Sequence, residues 1–303
     1  MRCFHTIRAT SSYARCVEQV IEHILIYVSS FHKIDLLCSS LRCVQFFAKQ
    51  VEHEMSSRPG RFSPQGLTNN VFSMASFQRS DAAARAGLCS FMHSLDDELT
   101  LQQIEHFNVQ DLSNSIWGIS VLGGFNLKFY HRLWERLACF DFSNIDRDGI
   151  LMIYQGRLLM ESVAPGLSDQ IPAPKWLWTE AKQKWREQAG TGTVSSYQRE
   201  VSCVLSDMEV GHEVERKTSD MMMSMDLGLD LQSITLECDG PSHFCVNLEV
   251  GSVPLSRNNV RDTLLSSRGW HVISLPWDEW AVKEGREESA DWIKRKLAHI
   301  SDT

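Results

Sequence analysis

No stretch of the chain approaches the roughly 18 consecutive apolar residues that a bilayer-crossing helix requires. The nearest candidate, from Val20 to Val28, holds Glu22 and His23, so no transmembrane helix is expected. Paired cysteine spacing is missing as well. The nine cysteines are odd in number, scattered and never spaced Cys-x-x-Cys, which indicates neither a disulfide framework nor a zinc site and makes a reducing compartment the default. Acidic residues are absent ahead of Glu18, where Arg2, Arg8 and Arg15 stand among Thr6, Thr10, Ser11 and Ser12. That composition suits an organelle transit segment over residues 1–18 and also an ordinary basic terminus. An excess of basic charge is lacking too: the net charge is −8, opposite in sign to the surface that phosphate contacts require. Its distribution matters more than its sum. From Gly190 onward there are 11 Lys and Arg against 19 Asp and Glu, while the residues before it balance at 19 against 19. A balanced helical region can still present a basic face, whereas an acidic C-terminal module must bind through a local patch or through metal ions.

What is present suffices for two domains. The 303 residues are 43% hydrophobic and 9% aromatic, enough to bury a core in each. A pattern recurs: FSPQGLTNNVFSMASF from Phe62 and FNVQDLSNSIWGISVL from Phe107 agree at Phe, Gln, Leu and Asn, with Val71/Ile116 and Phe72/Trp117 equivalent. Weaker copies begin at Phe31 and at Phe142, giving spacings of 31, 45 and 35 residues, which suit a unit of two helices. Leu112, Ile116, Trp117 and Ile119 make one helical face, with Ser63 and Asn108 placed to cap the helices of the two clear copies. A following helix, Asn126 to Phe140, carries the stripe Phe129, Leu133, Trp134 and Leu137. Residues 19–163 are therefore expected to form a short α-solenoid.

Residues 164–194 read as a connector, with Pro165, Pro172, Pro174, Gly190 and Gly192 around one helix from Trp178 to Gln188. Its Trp176, Trp178 and Trp185 alternate with Lys175, Lys182, Lys184 and Arg186, a mixture that either stacks and clamps single-stranded RNA or docks the helix on a neighbour. The module at 195–303 reads helix (Ser195 to Met208), strands (His212 to Lys217, Met222 to Leu229, Ser233 to Asp239), helix (Arg257 to Arg268), strand (His271 to Leu275) and helix (Glu287 to Ile300). Two strands joined by a helix imply a parallel pair with a crossover, and Gly269 is placed to end that helix. The expected class is an α-helical repeat followed by an α/β domain with a small mixed sheet. GTGTVSS (Gly190 to Ser196) lacks full phosphate-loop spacing, and Met221, Met222, Met223 and Met225 read as core fillers.

The segments SMDLGLD, SITLECDGPSHF and RNNVRDTLLSSRGWHVISLPWDEW, in this order, resemble the RAP domain of organellar RNA-processing factors, over about Ser195 to Ile300. The upstream FxxQxLxNxxW copies are similar to helical repeats found before such domains in octotricopeptide and FAST-kinase-like proteins. The resemblance implies a PD-(D/E)XK nuclease-like core in which Asp226 matches the first motif acid and Glu237 with Asp239 the following pair. Residues 237 and 239 share one face of a strand, so these carboxylates are positioned to hold Mg²⁺ against a phosphodiester, with His243 as a general base and Glu200 completing the acid set. One departure matters: where such a nuclease carries lysine after Glu-x, this chain has Asp239, and no lysine occurs between Lys217 and Lys283. Arg257 and Arg261 are the positive charges available instead. Alternatively, Glu237 and Asp239 only satisfy the turn through Gly240 and Pro241.

Arg257, Arg261 and Arg268 share roughly one helical face and are candidates for RNA phosphate contacts, with Trp277 and Trp280 as core aromatics or base-stacking residues. The expectation is an RNA-binding protein of a mitochondrion or chloroplast, or else of the cytoplasm, acting on single-stranded transcripts, with room for protein partners in a processing complex and with no cofactor implied unless it is a nuclease. The alternatives are a Mg²⁺-dependent endoribonuclease using Asp226, Glu237, Asp239 and His243, and a protein-interaction scaffold.

Overall fold

The computed structural model of the chain describes residues 62–76, 92–97, 104–171, 173–189, 192–229, 233–247 and 251–298, with single positions between 51 and 57. The expected transit segment at 1–18 and the repeat copy from Phe31 lie outside the described residues. The N-terminal part is built from α1 (Pro64–Ser76), α2 (Val109–Val121), α3 (Lys128–Leu137) and α4 (Arg147–Val163). Side-chain caps set where they begin. Asn108 accepts from Asp111 N at 2.9 Å while Asp111 accepts from Asn108 N at 3.1 Å, a reciprocal box that satisfies two otherwise orphaned donors. Ser63 Oγ accepts from Gly66 N at 3.1 Å, and Asp146 accepts from Gly149 N at 2.8 Å.

Matched positions of the helices meet in a recurring way. A Cβ on Gly118 would lie 2.7 Å from Val71 Cγ1 and 3.2 Å from the Val71 backbone, and one on Gly156 would lie 3.1 Å from Ile116 Cγ2. Val71 and Ile116 are equivalent in the two clear copies, so the two glycines permit the same close approach in successive helix pairs. Phe72 packs on its counterpart Trp117 at a centroid distance of 5.1 Å, and Trp117 Nε1 donates to Gln155 at 2.6 Å. Asn114 Nδ2 donates to its counterpart Asn69 at 3.4 Å. The last copy is displaced from its expected start. The cap at Asp146 makes Ile145 the counterpart of Phe107, and Phe142 instead enters a 3-10 turn and packs on Trp176. From α3, Phe129, Tyr130, Leu133, Trp134 and Leu137 are buried, the stripe expected there.

The connector helix α5 (Glu180–Gln188) leads to α6 (Ser196–Asp207) and then β1 (His212–Lys217), β2 (Ser224–Leu229) and β3 (Ile234–Asp239). A hairpin of β4 (Phe244–Asn247) and β5 (Gly251–Pro254) precedes α7 (Ser256–Ser266), β6 (His271–Pro276), α8 (Trp277–Ala281) and α9 (Arg286–Ala298). The hairpin and α8 are additions to the expected element order. The sheet runs β1-β2-β3-β6, antiparallel except for the parallel β3/β6 pair, in which Glu237 lies opposite Ser274 and Asp239 opposite Pro276. Gly269, at φ +82, ends α7 in the left-handed conformation that glycine adopts freely.

Alternation along β3 sorts its two faces. Ile234, Leu236 and Cys238 enter a core with Val201, Val204 and Leu205 of α6 and Trp292 and Ile293 of α9. Val260, Leu264 and Leu265 of α7 and the buried Met222, Met223 and Met225 belong instead to the core of the N-terminal helices. The crossover helix is thus shared: Ser256 Oγ donates to Ser76 O at 3.0 Å, and Ser162 Oγ donates to Ser267 Oγ at 3.1 Å. Trp185 of α5 packs on Tyr154 and donates Nε1 to Met222 O at 2.5 Å. No helix among the described residues is long and apolar enough to cross a membrane.

Because the obstacle to a side chain at Gly118 includes backbone atoms that cannot rotate away, Gly118→Ala is expected to destabilise the chain by about 1–3 kcal/mol. Alanine's better helix propensity offsets only part of this. A lowered urea midpoint checks the expectation, with Gly156→Ala showing the smaller drop.

Candidate functional site

The odd-numbered residues of β3, Thr235, Glu237 and Asp239, face α7. Glu237 and Asp239 are 2% and 0% exposed, and two buried carboxylates so close are costly unless a positive charge reaches them. Arg261 of α7 supplies it. Its Nη1 lies 2.9 Å from Asp239 Oδ1 and 3.3 Å from Glu237 Oε2, while Nη2 lies 2.8 Å from Asp262 Oδ1. Ser274 of β6 donates to Asp239, Thr235 Oγ1 donates to Glu237 at 2.7 Å, and His243 Nδ1 lies 3.0 Å from Asp239 Oδ1. His243 is brought there by the 3-10 turn Pro241–His243, with Leu255 N bonding to the His243 carbonyl at 2.9 Å.

These surroundings separate the two acids. Burial pushes the Glu237 carboxyl up, to about 8, with the Asp226 and Asp239 charges adding to the rise and Arg261 opposing it. Burial acts in the same direction on Asp239, but the contact with His243, the Arg261 guanidinium and the Ser274 hydroxyl together hold it down at about 2. Burial also depresses the guanidinium pKa of Arg261, yet Glu237, Asp239 and Asp262 overcome it and raise the group further. Arg261 therefore remains a cation bound to an anionic Asp239, while Glu237 takes up a proton readily.

Asp226 of β2 joins from the other side. Its Oδ2 accepts from Cys238 N at 2.8 Å, and its Oδ1 accepts from Gln198 Nε2 of α6 at 2.8 Å. Burial raises its pKa to about 6, the Cys238 amide bond and Arg261 acting against the rise. Gln198 Nε2 also donates to Glu215 Oε1 at 2.8 Å, and Gln198 Oε1 accepts from Ser195 N at 2.6 Å, so one amide links three groups. Glu215 sits in β1 at φ +53, an uncommon conformation for this residue type, and also accepts from Ser224 at 2.9 Å. Gln198 was not singled out in the sequence, where the capping-box spacing Ser195-x-x-Gln198 is the local signal that could have found it. No local pattern announces Glu215 or Ser274.

Asp226, Glu237, Asp239 and His243 are therefore assembled in one place, whereas Glu200 is not with them. Glu200 accepts from Trp280 Nε1 at 3.1 Å, and Trp280 packs between Tyr197 and Trp292 as a core aromatic. Arg261, expected on an RNA-facing surface, is turned inward. Arg268 is held by Asp220 Oδ2 at 2.9 Å and by Leu264 O at 2.7 Å, tying the end of α7 to the β1–β2 turn. Arg257 lies on α7 with its side chain outside the described ones, and Trp277 is half-buried at the start of α8. The acids as placed do not fit a divalent cation: Arg261 nitrogens occupy hydrogen-bond distance from the oxygens that would ligate it. Among the described residues no three His, Cys, Asp or Glu side chains are grouped to hold a metal ion.

Between the ordinary glutamate range and about 8, the folded chain retains a proton on Glu237 that the unfolded chain has released, so stability falls as pH rises through that window. Glu237→Gln removes this contribution and leaves that of Asp226, which has the same sign. The urea midpoint of the wild type is expected to drop between pH 5.5 and 8.0, and that of Glu237→Gln to drop less. Equal drops would contradict the assignment.

The family model described as RAP domain matches residues 236–296, the stretch from the centre of β3 through α7 and β6 into α9. A curated relative, "RAP domain-containing protein, chloroplastic" from Oryza sativa subsp. japonica, is 27% identical over 200 residues, which cover 63% of this chain and 30% of the relative. Glu237 and Asp239 of β3, His243 of the following turn and Arg261 of α7 thus all lie within the stretch that matches the RAP domain.

Proposed function

We propose that this chain is an RNA-binding protein of organellar RNA metabolism, in which the N-terminal helices act as a short repeat array that tracks single-stranded RNA and the RAP domain completes the binding unit without cutting. The observation that carries the non-cleaving part is the internal pairing of Arg261 with Glu237 and Asp239. A guanidinium in that position already neutralises the charge a nuclease would present to Mg²⁺, so the nuclease-like pocket serves stability.

Charge distribution supports the array as the phosphate-binding part. The acidic excess lies wholly beyond residue 190, while α3 carries Lys128, His131, Arg132 and Arg136 against Glu135 alone. The shared core through α7 holds array and RAP domain together, so RNA would meet a continuous surface. The relative described as chloroplastic favours a plastid over a mitochondrion as the place of action.

Fluorescence anisotropy with the full chain is expected to show saturable binding of single-stranded RNA, weakened roughly tenfold or more by a fourfold rise in salt, as a few phosphate contacts require. The RNA should be recovered intact after incubation with Mg²⁺ or Mn²⁺. Absence of binding to every single-stranded RNA tried would overturn the reading. Cleavage lost in Asp239→Asn would replace it with the endonuclease.

A further inference from the structure

Among the described residues the exposed large hydrophobic side chains are Val163, Trp178, Met221 and Val282, and Trp178 is the aromatic one, at 40% exposure. Its two neighbours in the connector are engaged elsewhere: Trp176 donates to Phe140 O at 3.3 Å and packs on Phe142, and Trp185 is locked to Met222 and Tyr154. Docking therefore accounts for two of the three tryptophans.

What holds Trp178 is a buried cation. Arg157 of α4, 6% exposed, donates to Ile171 O at 3.1 Å, to Ser168 O at 2.8 Å and to Glu161 at 3.0 Å. Its guanidinium carbon stands 5.9 Å from the ring centroid of Trp134 and 5.1 Å from that of Trp178. The cation is thus shared by a core indole and an exposed one, and its carbonyl anchors keep it from following solvent. Such a ring is already immobilised, so a ligand stacking on it loses little further entropy. A cation against one face also draws π density from the ring, which favours an electron-rich aromatic on the rest of it. Lys175 is exposed three residues before Trp178 and Lys182 is half-exposed four after it, while the nearby acid Glu161 is committed to Arg157. The exposed Glu180 is the opposing charge.

We infer that Trp178 is a base-stacking residue for single-stranded RNA, with Arg157 positioning the indole from behind and Lys175 available to the adjoining phosphate. This rests on the RNA-binding reading above and assigns it a specific contact in the connector, outside the RAP domain. Stacking needs an aromatic ring, whereas merely covering Arg157 needs only bulk, so phenylalanine and leucine separate the two roles.

The test uses the full chain with wild-type, Trp178→Phe and Trp178→Leu forms and a single-stranded RNA carrying 5-iodouridine. Trp178→Phe should bind within about threefold of wild type and Trp178→Leu about tenfold more weakly, with the salt dependence unchanged because no phosphate contact is removed. Photo-crosslinking of wild type should attach the RNA to the peptide containing Trp178, a readout that stands even if the leucine form fails to fold. Equal affinity of wild type and Trp178→Leu, or crosslinks elsewhere only, would overturn the inference while leaving RNA binding intact and assigning the exposed indole to a protein partner. No RNA binding by wild type would overturn both readings together.

Discussion

An ionised Asp239 on a buried strand face, beside a Glu237 whose pKa is raised to about 8, needs a counter-charge, and the fold provides it from a single residue. Arg261 reaches Glu237 and Asp239 from α7, so the helix that must cross from β3 to β6 is fixed to the sheet at its middle. Leaving such acids unpaired in an interior costs about 3–5 kcal/mol, a large share of the stability of an ordinary domain. The other side of the same helix gives Val260, Leu264 and Leu265 to the core of the N-terminal helices. One ion pair therefore orients the element on which the union of both parts depends.

The two parts have different reasons for being where they are. In the helical part, glycines let equivalent helices approach closely, and matched residues such as Phe72 and Trp117 meet across each approach. In the C-terminal α/β part, polar side chains join the elements instead. Asp226 takes over the Cys238 amide, and Gln198 binds the cap of α6, Glu215 and Asp226 at once. The acidic set is consequently a framework of satisfied groups. On the proposed RNA-binding reading, contacts to RNA fall to surfaces outside it, notably the basic residues of α3 and the exposed Trp178.

Much of this was legible from the sequence because the signals are local or strictly periodic. The Asn108 cap, the α3 stripe, the glycine at 269 and the alternation along β3 each follow from rules that act within a few residues, and the order of strands and helices followed from them. The sequence offered Arg257 and Arg261 both as the positive charge beside the acids and, with Arg268, as RNA-facing residues; it did not choose between these places for Arg261, which only the packing of α7 against β3 decides. Glu215 and Ser274 were invisible for a related reason: their partners, Gln198 and Asp239, are distant in the chain. Glu200 was misplaced with the acids by its position on α6, two residues beyond the side chain that actually faces them. The shifted last copy of the pattern shows the remaining weakness, since Phe142 carries the motif's first letter while Ile145 occupies its place.

On the proposed reading, Arg261 takes the place in the charge balance of the acids that a metal ion would otherwise have. Calorimetric titration of Mn²⁺ into the full chain tests it most directly. No saturable binding that depends on Asp239 is predicted for the wild type. A stoichiometric Mn²⁺ site that disappears in Asp239→Asn would contradict the account.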